Sequence, residues 1–183
     1  MVGTRQQLDP LTRATVTIAW VIFANKPFYP IYVWYLIGTG VRECLLTLIS
    51  APFFLAIPFV ARRSPLVARI MLPTIGTLDT LFETKLFGTA SGTELFFSAC
   101  VMLAALSFKA EEKWWQRGMV AFSFGAFLLS RNWIVAPLYG WSEVELSVLF
   151  KLNAYAVASL LAFIALRYAG VERDVGSDQF DRD

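Results

Sequence analysis

The sequence predicts an all-α, polytopic transmembrane helical bundle of about six spans with both termini on the cytoplasmic side. Three observations carry that prediction. The chain of 183 residues is 57% hydrophobic and only 16% charged, with a mean hydropathy of +0.57, too apolar for a soluble domain of this size. Apolar windows recur at about 14–38, 43–61, 66–87, 93–108, 115–131 and 147–168, each near the roughly 20 residues that cross a bilayer. The basic residues also alternate in side. Arg5, Arg13, Arg62, Arg63, Arg69, Lys109, Lys113, Arg117, Arg167 and Arg173 fall on one side, against Arg42, Lys85, Arg131 and Lys151 on the other. That asymmetry obeys the positive-inside rule.

The layout is a cytoplasmic N-terminus (1–13), a six-helix transmembrane bundle (14–168) and a cytoplasmic polar tail (169–183), too short to fold alone. A multi-pass protein of a bacterial inner membrane is expected. The opening apolar run follows Arg5 and Arg13 like a signal peptide, but no small-x-small cleavage site follows, so it reads as an uncleaved first span. Within it, "ANKPFYP" sets Asn25, Lys26 and two prolines. Each proline removes a backbone donor, so the window is either one kinked span or an interfacial helix to Ala24 followed by a span from Phe28. The second span carries Pro52 and Pro58 and ends at the basic "ARRSP". Trp114 and Trp115 suit the inner interface, and Trp34, Trp133 and Trp141 the outer one.

The third span holds the charges that need a reason. At about 100° per residue, Gly76, Thr77, Asp79, Thr80, Glu83, Thr84 and Gly88 share one half of the helix, and Leu78, Leu81, Phe82 and Leu86 the other. Such a polar stripe belongs in the bundle interior or a wet cavity. Lys85 lies on the apolar half near the outer end, where it can snorkel. Lys26, Arg42 and Lys151 are the candidate ion-pair partners for Asp79 and Glu83. A structural role and a role in binding both remain open, and proton or cation movement finds weak support without a His relay. The turn "FGTASGTELFF" leads into the fourth span, and "KAEEKWWQR" is a charged inner turn. The last span carries Ala154, Ala158 and Ala162, a small-residue row suited to close helix packing.

Chemistry is bounded largely by absence. The sequence has no His, which removes the commonest metal ligand and general base; no metal site, cofactor or catalytic residue is expected. HExxH, GxSxG, phosphate-loop and dinucleotide motifs are missing, and the basic residues form no nucleic-acid-binding patch. Cys44 and Cys100 read as buried apolar residues.

With "KPFYPIYVW" closing the first span, Arg42 opening the second, "FGTASGTELFF" before the fourth and "LNAYAVASLLAFIALRYAG" as the last helix, the chain resembles a known type of module. This is the six-span membrane module that precedes bacterial class III adenylyl cyclases and certain histidine kinases, including quorum-sensing receptors. The resemblance implies sensing of a ligand or membrane state, passed through the last helix to a cytoplasmic output domain. The chain ends at Asp183 without a cyclase or kinase, so the expectation is a non-catalytic receptor-like or regulatory module acting through a membrane or cytoplasmic protein partner. Self-association is also compatible. A ligand pocket is expected at the outer ends of the spans, near Asp79, Glu83, Glu94, Arg131 and Lys151. A small solute transporter or its substrate-binding component, and an accessory subunit of a larger membrane complex, are the competing readings.

Overall fold

A computed structural model of the protein describes residues 8–133 and 136–180, with the side chains of 133 and 172–180 excepted. Arg5, and the side chains of Trp133 and Arg173, lie outside the described residues. The described chain is helical with no strands: α1 (Pro10–Asn25), α2 (Phe28–Leu36), α3 (Val41–Cys44), α4 (Ala51–Ala61), α5 (Pro65–Phe87), α6 (Phe96–Leu106), α7 (Lys113–Trp133) and α8 (Glu143–Phe180). Short 3-10 turns at Leu45–Ser50, Thr89–Ser91, Thr93–Leu95 and Ala110–Glu112 join them.

The apolar windows of the sequence are largely helical, but among the described residues two helices are long and apolar enough to cross a membrane: Val41–Ala61 and Glu143–Val171. Thr93–Leu106 with Ala110–Asn132 makes a third if the pair, bent by 117°, counts as one span. The shortfall from six has visible causes. The 16 residues of α1 rise only about 24 Å, and Asn25, Lys26 and Pro27 break the helix before α2. The 23-residue α5 is long enough, but Arg69, Asp79, Glu83 and Lys85 lower its apolarity.

Local sequence explains the helix ends. Pro10 and Pro65 sit at first-turn positions where the missing N–H costs nothing, and Asp9 caps α1 by accepting from the Thr12 N–H at 3.2 Å. Ser142 and Glu145 cap α8 reciprocally: the Ser142 N–H donates to Glu145 Oε2 at 2.7 Å, and the Glu145 N–H donates to Ser142 Oγ at 3.3 Å. The polar tail, read as too short to fold alone, continues α8 to Phe180. A helix already nucleated upstream extends without a nucleus of its own.

Of three apolar clusters among the described residues, two frame the interior charges. One contains Ala14, Ile18, Phe54, Ile57, Leu72, Leu103 and Ile164; the other contains Val33, Cys44, Leu86, Phe87, Trp141 and Leu149. Trp141, expected as an outer interface anchor, is instead 8% exposed, packed on Phe87 and Tyr139. Its ring fills the space left by the absent side chain of Gly40, whose φ is +63°. Gly40→Ala combines a left-handed backbone with a clash into the indole and is expected to cost about 1–3 kcal/mol. Thermal unfolding of the purified variant reads this out; an unchanged midpoint contradicts it.

Candidate functional site

Between the two cores lies a layer of buried charge. The break at Lys26–Pro27 ends α1 two residues before the chain resumes as α2, and it turns Lys26 inward to 8% exposure. Its Nζ stands 2.5 Å from Asp79 Oδ2 and 2.7 Å from Glu83 Oε1. It also lies over the Phe54 ring, 5.9 Å from the centroid. The i,i+4 spacing places both carboxylates on one face of α5, as the helical projection predicts. Of the three candidate cations the structure brings Lys26 alone to the pair. Arg42 and Lys151 are exposed and make no ion pair among the described residues.

One ammonium faces two carboxylates, and acceptor capacity is left over. Among the described residues Asp79 Oδ1 is buried without a hydrogen-bond partner, as are the Tyr29 hydroxyl and Asn153 Oδ1. Tyr29 packs edge-on against Phe87 at 5.5 Å between ring centroids, in the direction of the second core. Asn153, fully buried on α8, donates to the Ser91 carbonyl at 2.9 Å. The hydroxyls of α5 complete the layer: Thr77 and Ser123 share a hydrogen bond of 2.8 Å, and Thr80 and Thr84 return theirs to carbonyls one turn back. Cys100 sits buried against Gly76 and Thr80 as a free thiol.

The expected outer-pole cluster is therefore split. Asp79 and Glu83 belong to the Lys26 triad, whereas Glu94 pairs with Arg131 at 2.5 Å, beside a cavity of about 270 Å³ lined by Thr89, Ala90, Glu94 and Arg131. Lys151 joins neither group. Lys85, expected to reach the headgroups, donates instead to the Ala136 carbonyl at 2.7 Å, because the chain after α7 folds back across the end of α5. On α8, Ala158 and Ala162 are exposed and Ala154 is half-buried. Asn153, Val157, Ile164 and Tyr168 make the inward face instead. The small-residue row thus faces away from the bundle, because these larger side chains fill the groove.

One site was missed by sequence reasoning. Arg69, read as one of the inner-face charges, is 1% exposed. Its Nη1 donates to Asp9 Oδ2 at 3.1 Å and to Thr12 Oγ1 at 2.7 Å, and its Nη2 pairs with Glu112. Burial alone pushes the Asp9 carboxyl up, but the Thr12 bonds and the Arg69 charge outweigh it and hold that carboxyl below its ordinary value. The available signal was the two acidic residues of "KAEEKWW" in a turn otherwise rich in cations.

Two buried ion-pair clusters, Lys26 with Asp79 and Glu83 between the apolar cores and Arg69 with Asp9 and Glu112 where α1, α5 and the turn before α7 meet, set polar layers into an otherwise apolar helical bundle. The family can be named more closely. The MASE7 family model matches residues 5–176, and the chain belongs to that family of membrane-associated sensor domains. No curated protein matches the chain.

Proposed function

We propose that this chain is a non-catalytic membrane sensor of a bacterial inner membrane, which reads a state at the outer pole and passes it along α8 to a protein partner. The observation that carries the reading is the Lys26–Asp79–Glu83 layer. Intramembrane charge is costly and is generally functional, and here it fixes a broken first helix to a polar face of α5. The break between α1 and α2 is the natural moving part, because one buried cation holds it against two carboxylates.

Our topology has six crossings with both termini inside. It is supported by the gathering of Arg62, Arg63, Lys109, Lys113 and Arg117, all exposed, at the turns nearest Arg69. The α8 helix has 38 residues, about 57 Å at the usual rise, so it would extend well past a hydrocarbon core of roughly 30 Å. That length suits transmission to an output protein of the cyclase or kinase kind.

The test is affinity extraction from native membranes in mild detergent. The expected result is a specific partner that stays bound in the Asp79→Asn/Glu83→Gln variant, with normal insertion but an altered output from that partner. Solute uptake by the purified chain alone in sealed vesicles, without a partner, would overturn the sensor reading in favour of a transporter.

A further inference from the structure

A cavity lies beside the Glu94–Arg131 pair, with Thr89 and Ala90 as its other lining residues. Thr93–Leu95, a 3-10 turn, carries Glu94 at the entry to α6, and the last turn of α7 carries Arg131. The Glu94 side chain is 11% exposed and that of Arg131 60% exposed. Among the described residues only Oε1 of Glu94 is engaged, by Arg131 Nη2 at 2.5 Å. Its other oxygen, Oε2, is buried with no hydrogen-bond partner among the described residues, which leaves a desolvated acceptor that needs a donor. Arg131 has further N–H groups beyond the one it spends on Glu94, and its guanidinium is held over the Phe127 ring at 5.7 Å. The nearby cation Lys85 is already committed to the Ala136 carbonyl.

The pair sums to zero charge. A ligand that is only a cation or only an anion brings an uncompensated charge to a partly desolvated site, whereas one carrying both signs satisfies both partners. The volume of about 270 Å³ lies just below the usual range for drug-sized ligands, which points to something smaller.

We propose that this pocket binds a small zwitterion of the α-amino-acid type, its ammonium group on the Glu94 carboxylate and its carboxylate on Arg131, with the Thr89–Ala90 turn as the wall. The inference rests on the sensor reading and supplies its ligand class. The layer of Lys26, Asp79 and Glu83 would then respond to the occupancy of a neighbouring turn, since Thr93 beside Glu94 donates to Thr84 on α5, the residue after Glu83, at 3.5 Å.

The experiment is calorimetric titration of the intact chain in lipid nanodiscs with L-alanine, methylammonium chloride and sodium acetate in turn. Saturable L-alanine binding is expected, at least tenfold tighter than either single-charge probe, with a tenfold or greater loss in Glu94→Gln and in Arg131→Gln. Ala90→Phe fills the pocket while leaving both Glu94 and Arg131 in the sequence, so it tests the site even where those two variants fail to fold; it too should abolish binding. Absence of saturable L-alanine binding, equal binding of all three probes, or binding untouched by Ala90→Phe overturns the proposal. None of these outcomes alters partner extraction, so failure of the ligand class is separable from failure of the sensor reading.

Discussion

Lys26→Met is expected to destabilise the protein by about 3–5 kcal/mol, because it leaves two buried carboxylates without their cation. The triple variant Lys26→Met/Asp79→Asn/Glu83→Gln is expected to recover most of that loss. The asymmetry follows from desolvation: the intact cluster nearly offsets the cost of burying its charges, whereas a broken one carries that cost unrelieved. Both carboxylates lie within 2.7 Å of the same ammonium, so the three substitutions couple strongly and do not add. Unfolding of all variants in the same lipid or detergent measures the cycle. A Lys26→Met variant within about 0.5 kcal/mol of wild type, the scale of an ordinary surface substitution, contradicts the assignment.

Arg69→Met is the second large effect, again about 3–5 kcal/mol. Arg69 is 1% exposed and joins Asp9 at the start of α1 to Glu112 before α7; its loss therefore unties three elements at once. The same cluster gives a pH dependence with a fixed sign. The folded-state value of Asp9 is lowered, so its contribution is fully present above the ordinary carboxylate range and is lost as pH falls through the lower, folded-state value. Wild type should therefore exceed Asp9→Asn in stability at neutral pH, with the gap closing in acid. A gap that widens as pH falls contradicts the arrangement. Acid unfolding followed by circular dichroism reads both.

The polar face of α5 was legible because helical periodicity is a local property. A projection at 100° per residue needs no knowledge of the neighbours, and the structure leaves Leu78 and Phe82 exposed while Thr77, Thr80 and Thr84 are buried. Leu86 departs from that division. Assigned to the apolar half, it is fully buried because the second core closes around the end of α5. The break at Lys26–Pro27 was legible for a similar reason, proline being a local interrupter.

The identity of the cation opposite Asp79 and Glu83 was not legible. Lys26, Arg42 and Lys151 are all compatible with the sequence, and the choice depends on how α1, α3 and α8 dock. Arg69 was missed because a buried arginine and a cytoplasmic-face arginine look alike when counted by side. Trp141 was misplaced because its partner, Gly40, lies about a hundred positions away in sequence, and only the fold brings the missing side chain of one to the ring of the other.

In the proposed function the Lys26 layer holds α2 in place against the rest of the bundle, and this contact is what a sensed state would change. The most direct measurement is the distance between spin labels at Tyr35 on α2 and Leu129 on α7, both on the exposed surface, by electron–electron double resonance in nanodiscs. A narrow distribution is expected for wild type, with a shifted or broadened one for Asp79→Asn/Glu83→Gln. Identical distributions in the two proteins would contradict the claim.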